Sequence, residues 1–147
     1  MFTGVKTNSG TLGFDAHIVE GDETSIYNAT EVESIMLHAQ RAGKDTGFVT
    51  TTRITHATPA SLYAHSADRD WECYKKLVDD HVEENKDVHE ISWQLMNREP
   101  GMNAKVMMGG GEKTMRMRED SSQTKDDDYS DDYGNYHCYT EDKYDFQ

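Results

Sequence analysis

Three side chains within residues 50–71 have types and a spacing suited to phosphate or metal chemistry. The stretch reads TTTRITHATPASLYAHSADRDW. The hydroxyl of Thr58 is the kind of oxygen ligand that a hard cation such as Mg²⁺ accepts. The planar guanidinium of Arg69 matches two oxygens of a phosphate group. His56 lies two residues before Thr58 and could ligate a metal or act as a base beside one.

Each of these residues also has an ordinary structural interpretation. Thr58 precedes Pro59, which is typical of an N-cap followed by the first residue of a helix. Arg69 has an aspartate on either side and could form a surface ion pair of little energetic value. A lone histidine in a loop is usually neither ligand nor base. Taken singly, the three residues therefore favour structural roles.

The segments around these residues predict alternating helices and strands. Thr30 and Glu33 form a T-x-x-E capping box at the start of a helix that Gly43 ends. TGFVTTT predicts a buried strand and ASLYAHSA a short helix. A third helix is predicted over Tyr74–Asn97, and AKVMM predicts a second strand. This order is typical of a parallel α/β sheet, which gathers ligands at the carboxyl ends of its strands.

Those ends are TRITHATP after the first strand and GGGEK after the second. The glycines at 109–111 could cradle an anion. However, the segment lacks the Gly-Lys-Ser/Thr ending of a phosphate-binding P-loop, so a tight turn is the more ordinary interpretation.

The charge of the chain is large and unevenly placed. The 147 residues carry a formal charge of −13, which argues against nucleic-acid binding because phosphate contacts need clustered Lys and Arg. Residues 118–147 are rich in Asp and Tyr and poor in aliphatic residues, so we expect a poorly ordered acidic tail after a domain at 1–117. Loose calcium binding by DDDYSDD is an alternative, although that segment lacks the Gly and Glu of an EF-hand loop.

Other local features are less decisive. No run of about eighteen apolar residues and no basic-then-apolar leader occurs in the sequence, so we expect no membrane span or signal peptide within it. Asn28-Ala29-Thr30 is an N-glycosylation sequon. Cys73 and Cys138 permit one disulfide and match no metal-binding spacing, and whether they pair stays open.

Read in order, several segments resemble the animal-type alkaline phosphatases over residues 4 to about 115. They are GVKTNSGTLGFD, AGKDTGFVTTTRITHATPASLYAHSADRDW, ISWQLM and KVMMGGGEK. The resemblance implies part of a doubly wound parallel α/β sheet and a phosphomonoesterase with two zinc ions and one magnesium ion. It further implies a homodimer that is extracellular or membrane-anchored.

The resemblance assigns roles to the three residues of the opening stretch. Thr58 falls where the family has a Ser or Thr that ligates Mg²⁺. His56 falls near the metals, at a position that tunes the magnesium site. Arg69 matches the arginine that binds the substrate phosphate.

The resemblance also implies parts that these residues do not supply. The nucleophilic serine of the family belongs to a D-S-A motif just upstream of the segment that matches GVK, and the zinc ligands come from other segments. We therefore expect a partial chain that is inactive alone. The complete protein would hydrolyse phosphate monoesters through a phosphoserine intermediate. The alternative is a short non-catalytic protein that binds cations or a partner through its acidic tail.

Overall fold

A parallel pair of strands, flanked by short helices, forms the framework of the chain. The computed structural model describes residues 2–82 and 88–115. The strands are β1 (Gly47–Arg53) and β2 (Val106–Gly110). The helices are α1 (Ile35–Arg41), α2 (Ala57–Ala60), α3 (Tyr74–Asp79), α4 (Ile91–Asn97) and α5 (Glu112–Met115), with 3₁₀ turns at Glu23–Tyr27 and Gly101–Asn103. The parallel pairing and the helix–strand alternation confirm the predicted α/β class.

Two predictions concern the tail and the membrane. The acidic tail at 118–147, with its DDDYSDD segment, lies outside the described residues. Within the described residues, none of the helices has both the length and the apolar character that crossing a bilayer requires.

The sheet has one packed face and one open face. Phe48 pairs with Met107 in the strand register, and its ring stacks on Tyr63 with ring centroids 5.9 Å apart. The next pair, Val49 and Met108, points the opposite way because successive side chains alternate between faces. Val49 is 75% exposed and Met108 59% exposed. The prediction of a buried strand is therefore wrong for this face, because no described element covers it.

Two apolar clusters form the core between the sheet and the helices. The first joins the α2 and α4 regions and consists of Leu12, Ala60, Tyr63, Ala64, Ile91, Leu95 and Met115. The second consists of Phe14, Ile18, Ala67, Trp71, Leu77 and Val88. Cys73 is fully buried beside this core and is disulfide-bonded. Cys138 lies outside the described residues. The clusters flank the segment that carries Arg69.

Helix α1 begins later than the capping box predicts. Its N-cap is Ser34, whose hydroxyl accepts a hydrogen bond from the Leu37 N–H at 3.2 Å. Thr30 instead accepts from the Asp15 N–H through its carbonyl oxygen at 3.0 Å, and the backbone there is extended, with a bridge between Phe14 and Glu31. The predicted Thr30 cap is wrong because this tertiary bridge holds residues 30–31 in extended geometry.

The predicted helix over Tyr74–Asn97 is two helices. Helix α3 ends at Asp79, and His81 has a positive φ of 58°, which stops helical propagation. Helix α4 starts again at Ile91, where its N–H donates to the Trp71 carbonyl at 2.9 Å. Both helices contribute apolar residues to the core clusters. The spacing of these residues alone does not distinguish two helices from one, and it therefore predicted a single helix.

The glycines at 109–111 mainly serve strand packing. Gly109 and Gly110 belong to β2, and a side chain at Gly109 would lie 2.6 Å from Thr50 Cγ2 and 3.0 Å from the Thr52 carbonyl oxygen. Gly111 has φ of +103°, so the turn proper is at this residue. The second strand thus lies two residues later than AKVMM predicts, and the predicted tight turn is confined to its end.

Candidate functional site

Thr58 and Arg69 line one cleft beside the carboxyl end of β1. The cleft has a volume of about 260 Å³. Its walls come from the N-terminal segment, from the α2 region and from Arg69. The lining residues are Phe2, Thr3, Val5, Thr7, Thr11, Leu12, Gly13, Ala57, Thr58, Ser61 and Arg69. The structure therefore brings together two residues that lie apart in the sequence.

Helix α2 leaves the Thr58 hydroxyl available. The N-cap is His56, whose Nδ1 accepts from the Thr58 N–H at 3.4 Å, so the prediction of Thr58 as the cap is wrong. Pro59 is accepted as the third residue of this helix because the first-turn N–H groups have no intrahelical partner. Thr58 is exposed, and its hydroxyl makes no hydrogen bond within the part of the chain that the structure describes.

His56 lies next to Thr58 but outside the lining of the cleft. Its ring caps α2 through Nδ1. The helix lies at residues 57–60 instead of at the predicted ASLYAHSA (residues 60–67), so that prediction is wrong: the chain continues after Ala60 as turns. The structure therefore places His56 at the start of the helix that presents Thr58.

The Arg69 side chain projects from a tight backbone turn. The Arg69 N–H donates to the Gly10 carbonyl at 2.7 Å, and the Trp71 N–H donates to the Asp68 carbonyl at 3.3 Å. The guanidinium is 46% exposed and has one ion-pair contact, 4.0 Å from Nε to Asp70 Oδ1. The surface ion pair that the sequence offered as an alternative role for Arg69 is therefore a single contact, at the longest distance that still counts as an ion pair.

The cleft is electrostatically suited to an anion. Among the described residues that line it there is one cation, Arg69, and no carboxylate. Four other hydroxyls line it, and each is engaged with neighbouring protein oxygens. They belong to Thr3, Thr7, Thr11 and Ser61. Asp68 lies just outside the lining, where burial raises the pKa of its carboxyl group. A phosphate would meet a guanidinium and a free hydroxyl here.

A metal centre is not complete within the described residues. No group of three or more His, Cys, Asp or Glu side chains lies close enough there to hold an ion. The free hydroxyl of Thr58 fits a single oxygen position of Mg²⁺. Nothing among these residues fits the nitrogen and carboxylate set that Zn²⁺ requires.

One buried charge close to Arg69 in the chain is not predicted from the sequence. Glu72 is 6% exposed, and its carboxylate accepts hydrogen bonds from Arg53 and Thr55. A glutamate after Asp-Arg-Asp-Trp looks like one more surface acid, so no local pattern marks it. Its partners lie 17 and 19 residues away in the chain.

The Asn28 sequon is accessible. Asn28 is exposed at the end of the 3₁₀ turn Glu23–Tyr27, and Thr30 is exposed as well. This exposure is compatible with modification of the sequon.

Comparison with known proteins gives one family. A family model described as alkaline phosphatase matches residues 1–139. Alkaline phosphatase 4 of Drosophila melanogaster is 44% identical over 117 residues, which cover 78% of this chain and 18% of the relative. The human tissue-nonspecific isozyme is 42% identical, covering 76% and 20%.

A third relative adds a membrane-associated form. The membrane-bound alkaline phosphatase of Bombyx mori is 43% identical over 114 residues, covering 75% of this chain and 20% of the relative. The chain thus spans 18–20% of the length of these curated relatives. With the family model matching most of its residues, this chain belongs to the alkaline phosphatase family.

Proposed function

We propose that the complete protein hydrolyses phosphate monoesters and that this chain supplies the phosphate-binding wall of its active site. The observation that carries the proposal is the shared cleft, in which the Arg69 guanidinium and the free Thr58 hydroxyl occur without a carboxylate. Family membership supports the reaction class.

Arg69 is assigned to the phosphate itself. Its planar fork can donate two parallel hydrogen bonds to non-bridging oxygens, and its fixed charge offsets the negative charge that these oxygens carry during phosphoryl transfer. The backbone turn fixes where the side chain starts, and the partial exposure leaves room for it to reach a ligand.

Thr58 and His56 are assigned to the magnesium side of the site. The Thr58 hydroxyl is a magnesium ligand, and His56 lies beside it and orients its backbone through the N-cap. Bound zinc and magnesium would supply charge stabilisation for the attacking and leaving oxygens. The zinc ligands and the serine of the phosphoserine intermediate are not among the residues assigned here.

The setting of the complete protein follows from the same resemblance. We propose a homodimer at the cell surface or outside the cell, with any membrane anchor lying in another part of the protein. The membrane-bound relative of Bombyx mori supports this location. The exposure of Asn28 supports its assignment as a glycosylation site.

Titration with inorganic phosphate tests the role of Arg69. We expect the 147-residue chain to bind phosphate in isothermal titration calorimetry, and Arg69→Ala to weaken binding by about a hundredfold because a charge-assisted pair is lost. Arg69→Lys should recover part of the affinity, since Lys keeps the charge without the fork. Arg41→Ala makes the same change in charge far from the cleft and should leave the affinity unchanged.

A turnover assay tests the expectation that this chain is inactive alone. The substrate is a chromogenic phosphate ester at alkaline pH with Zn²⁺ and Mg²⁺ present. We expect no hydrolysis above the rate in buffer, because the described residues contain no complete metal centre. Turnover that disappears in Arg69→Ala would contradict this expectation while supporting the reaction class.

A further inference from the structure

A buried carboxylate, that of Glu72, lies three residues after Arg69 in the chain. Arg53 donates to Glu72 through Nε at 2.8 Å and through Nη2 at 2.6 Å, and the Thr55 hydroxyl donates at 2.6 Å. The Glu72 side chain is 8% exposed, whereas that of Arg53 is 42% exposed. The two parallel bonds fix both the distance and the orientation of the pair.

This network joins the ends of both strands. Arg53 is the last residue of β1, and the Thr55 hydroxyl is 2.8 Å from that of Thr114 in α5. Thr114 donates in turn to the carbonyl of Gly111, which follows β2. Glu72 is therefore attached to the edge of the sheet at which both strands end.

The same glutamate ends the segment that carries Arg69. The Glu72 N–H donates to the Asp70 carbonyl at 2.7 Å, and the Glu72 carbonyl accepts from the Ser92 N–H at 3.1 Å. On its other side, Arg69 is held by the bond from its own N–H to Gly10. The turn with Arg69 thus has a backbone anchor before it and a side-chain anchor after it.

The Arg69 side chain has little else to hold it. Its one ion-pair contact, to Asp70, is 4.0 Å long and exposed. The position of the guanidinium in the cleft therefore depends on the placement of the backbone from which it projects.

We propose that Glu72 is a positioning residue for Arg69: its bidentate pair with Arg53 fixes the Arg69 turn relative to the carboxyl ends of the strands. The inference rests on the proposed function, because it assigns Glu72 a role in phosphate binding. Affinity is sensitive to this placement since small displacements of a binding group weaken the interactions it makes.

The test compares two glutamates that each pair with an arginine. Glu72→Gln removes the buried charge and keeps the shape of the side chain. Glu31→Gln removes the charge of an exposed pair, in which Arg98 Nη2 lies 3.0 Å from the Glu31 carboxylate. Arg53→Lys changes the opposite side of the buried pair, keeping its charge and losing the two parallel bonds. The readouts are the Kd for inorganic phosphate and residue-resolved amide hydrogen exchange in the full chain.

We expect Glu72→Gln to raise the Kd for phosphate by about tenfold and to speed exchange at the amides of Arg69 and Trp71. Arg53→Lys should give an intermediate Kd, and Glu31→Gln should stay within about twofold of the original chain. A purely structural role of Glu72 predicts faster exchange over the whole chain and an unchanged Kd for the folded fraction, which would overturn the proposal.

The outcomes separate this inference from the function on which it rests. If the original chain binds no phosphate, the proposed function fails for this chain, and local exchange at Arg69 and Trp71 then decides the positioning role. If Glu72→Gln does not fold, Arg53→Lys decides it. Exchange in that variant equal to that of the original chain would overturn the inference.

Discussion

At the scale of single residues, the structure corrects one structural role, the N-cap of α2, while the roles of Thr58 and Arg69 in metal and phosphate binding stay predictions. Thr58 looked like a helix cap because it precedes Pro59. The cap is His56, which leaves the Thr58 hydroxyl free in the cleft. Propensity rules favour Thr58 over His56 as a cap, whereas the observed cap depends on where the chain leaves β1 and turns into the helix.

Helix α1 allows its observed N-cap, Ser34, to be compared directly with its predicted N-cap, Thr30. Ser34 accepts from the Leu37 N–H and donates to the Leu62 carbonyl, and it is buried. We expect Ser34→Ala to lower the free energy of unfolding by about 1–2 kcal/mol, measured by urea denaturation. Thr30→Ala, at the cap that the sequence predicted, should cost about 0.5 kcal/mol or less. If Thr30→Ala destabilised the protein more than Ser34→Ala, the capping box would be the start of this helix after all.

The half-buried histidine His65, beside the second apolar cluster, predicts a pH dependence. His65 packs edge-on against Phe14, and burial lowers the pKa of its imidazole below the ordinary value of 6.5. Glu31 acts in the opposite direction and Arg98 in the same direction. As the pH falls below 6.5, the unfolded chain takes up a proton at this position more readily than the folded protein does, so stability decreases.

We therefore expect the urea midpoint to fall between pH 7.5 and about 5.5 and to level off below the lowered pKa of His65. His65→Gln should flatten this slope. His38→Gln is the control because that ring is exposed. If His65→Gln keeps the full slope, another group is responsible for it.

At the scale of elements, the glycine run shows how a motif can be explained by packing. GGG suggested an anion cradle or a tight turn, whereas the strand itself uses Gly109 to approach β1 closely. The sequence shows the glycines but not which strand they pack against, since the pairing of Val49 with Met108 forms only on folding.

Two adjacent glycines provide a matched pair of variants. A methyl group at Gly109 would clash with Thr50 and the Thr52 carbonyl, so we expect Gly109→Ala to cost about 1–3 kcal/mol in thermal or urea unfolding. At Gly110 the nearest atom would be the Thr52 carbonyl oxygen at 3.5 Å, an ordinary contact. Gly110→Ala should therefore cost about 0.5 kcal/mol or less. Equal costs would mean that the strands are not packed as described.

At the scale of the whole molecule, exposed apolar surface favours association between copies of the chain, and the net charge opposes it. The open face of the sheet exposes Val49, Val106 and Met108, and contiguous exposed apolar surface favours association. The formal charge of −13 keeps copies apart. Because salt screens charges over about 8 Å at physiological ionic strength while leaving apolar contacts intact, added salt favours association.

Sedimentation velocity at increasing NaCl measures this balance. We expect the chain to associate more strongly as salt rises, and the double variant Val49→Thr/Met108→Gln to associate several-fold less at the same salt. Neither substitution changes the charge. Val78→Thr removes an exposed valine elsewhere, on α3, and is the control. If the double variant associates as strongly as the original chain, the contact lies on another surface.

The sequence by itself determined the family, through an ordered series of motifs, and the α/β class, through the alternation of predicted helices and strands. The roles of Thr58 and Arg69 follow from the family resemblance and stay predictions. The sequence could not determine the cap of α1, the break between α3 and α4 or the buried pair of Glu72 with Arg53. Each of these depends on contacts between residues distant in the chain: a bridge that extends residues 30–31, the backbone bonds of α4 to Trp71, and an ion pair that spans 19 residues. Only the tertiary structure decided that Thr58 and Arg69 face one cleft, because folding brings the turn with Arg69 back to the end of β1.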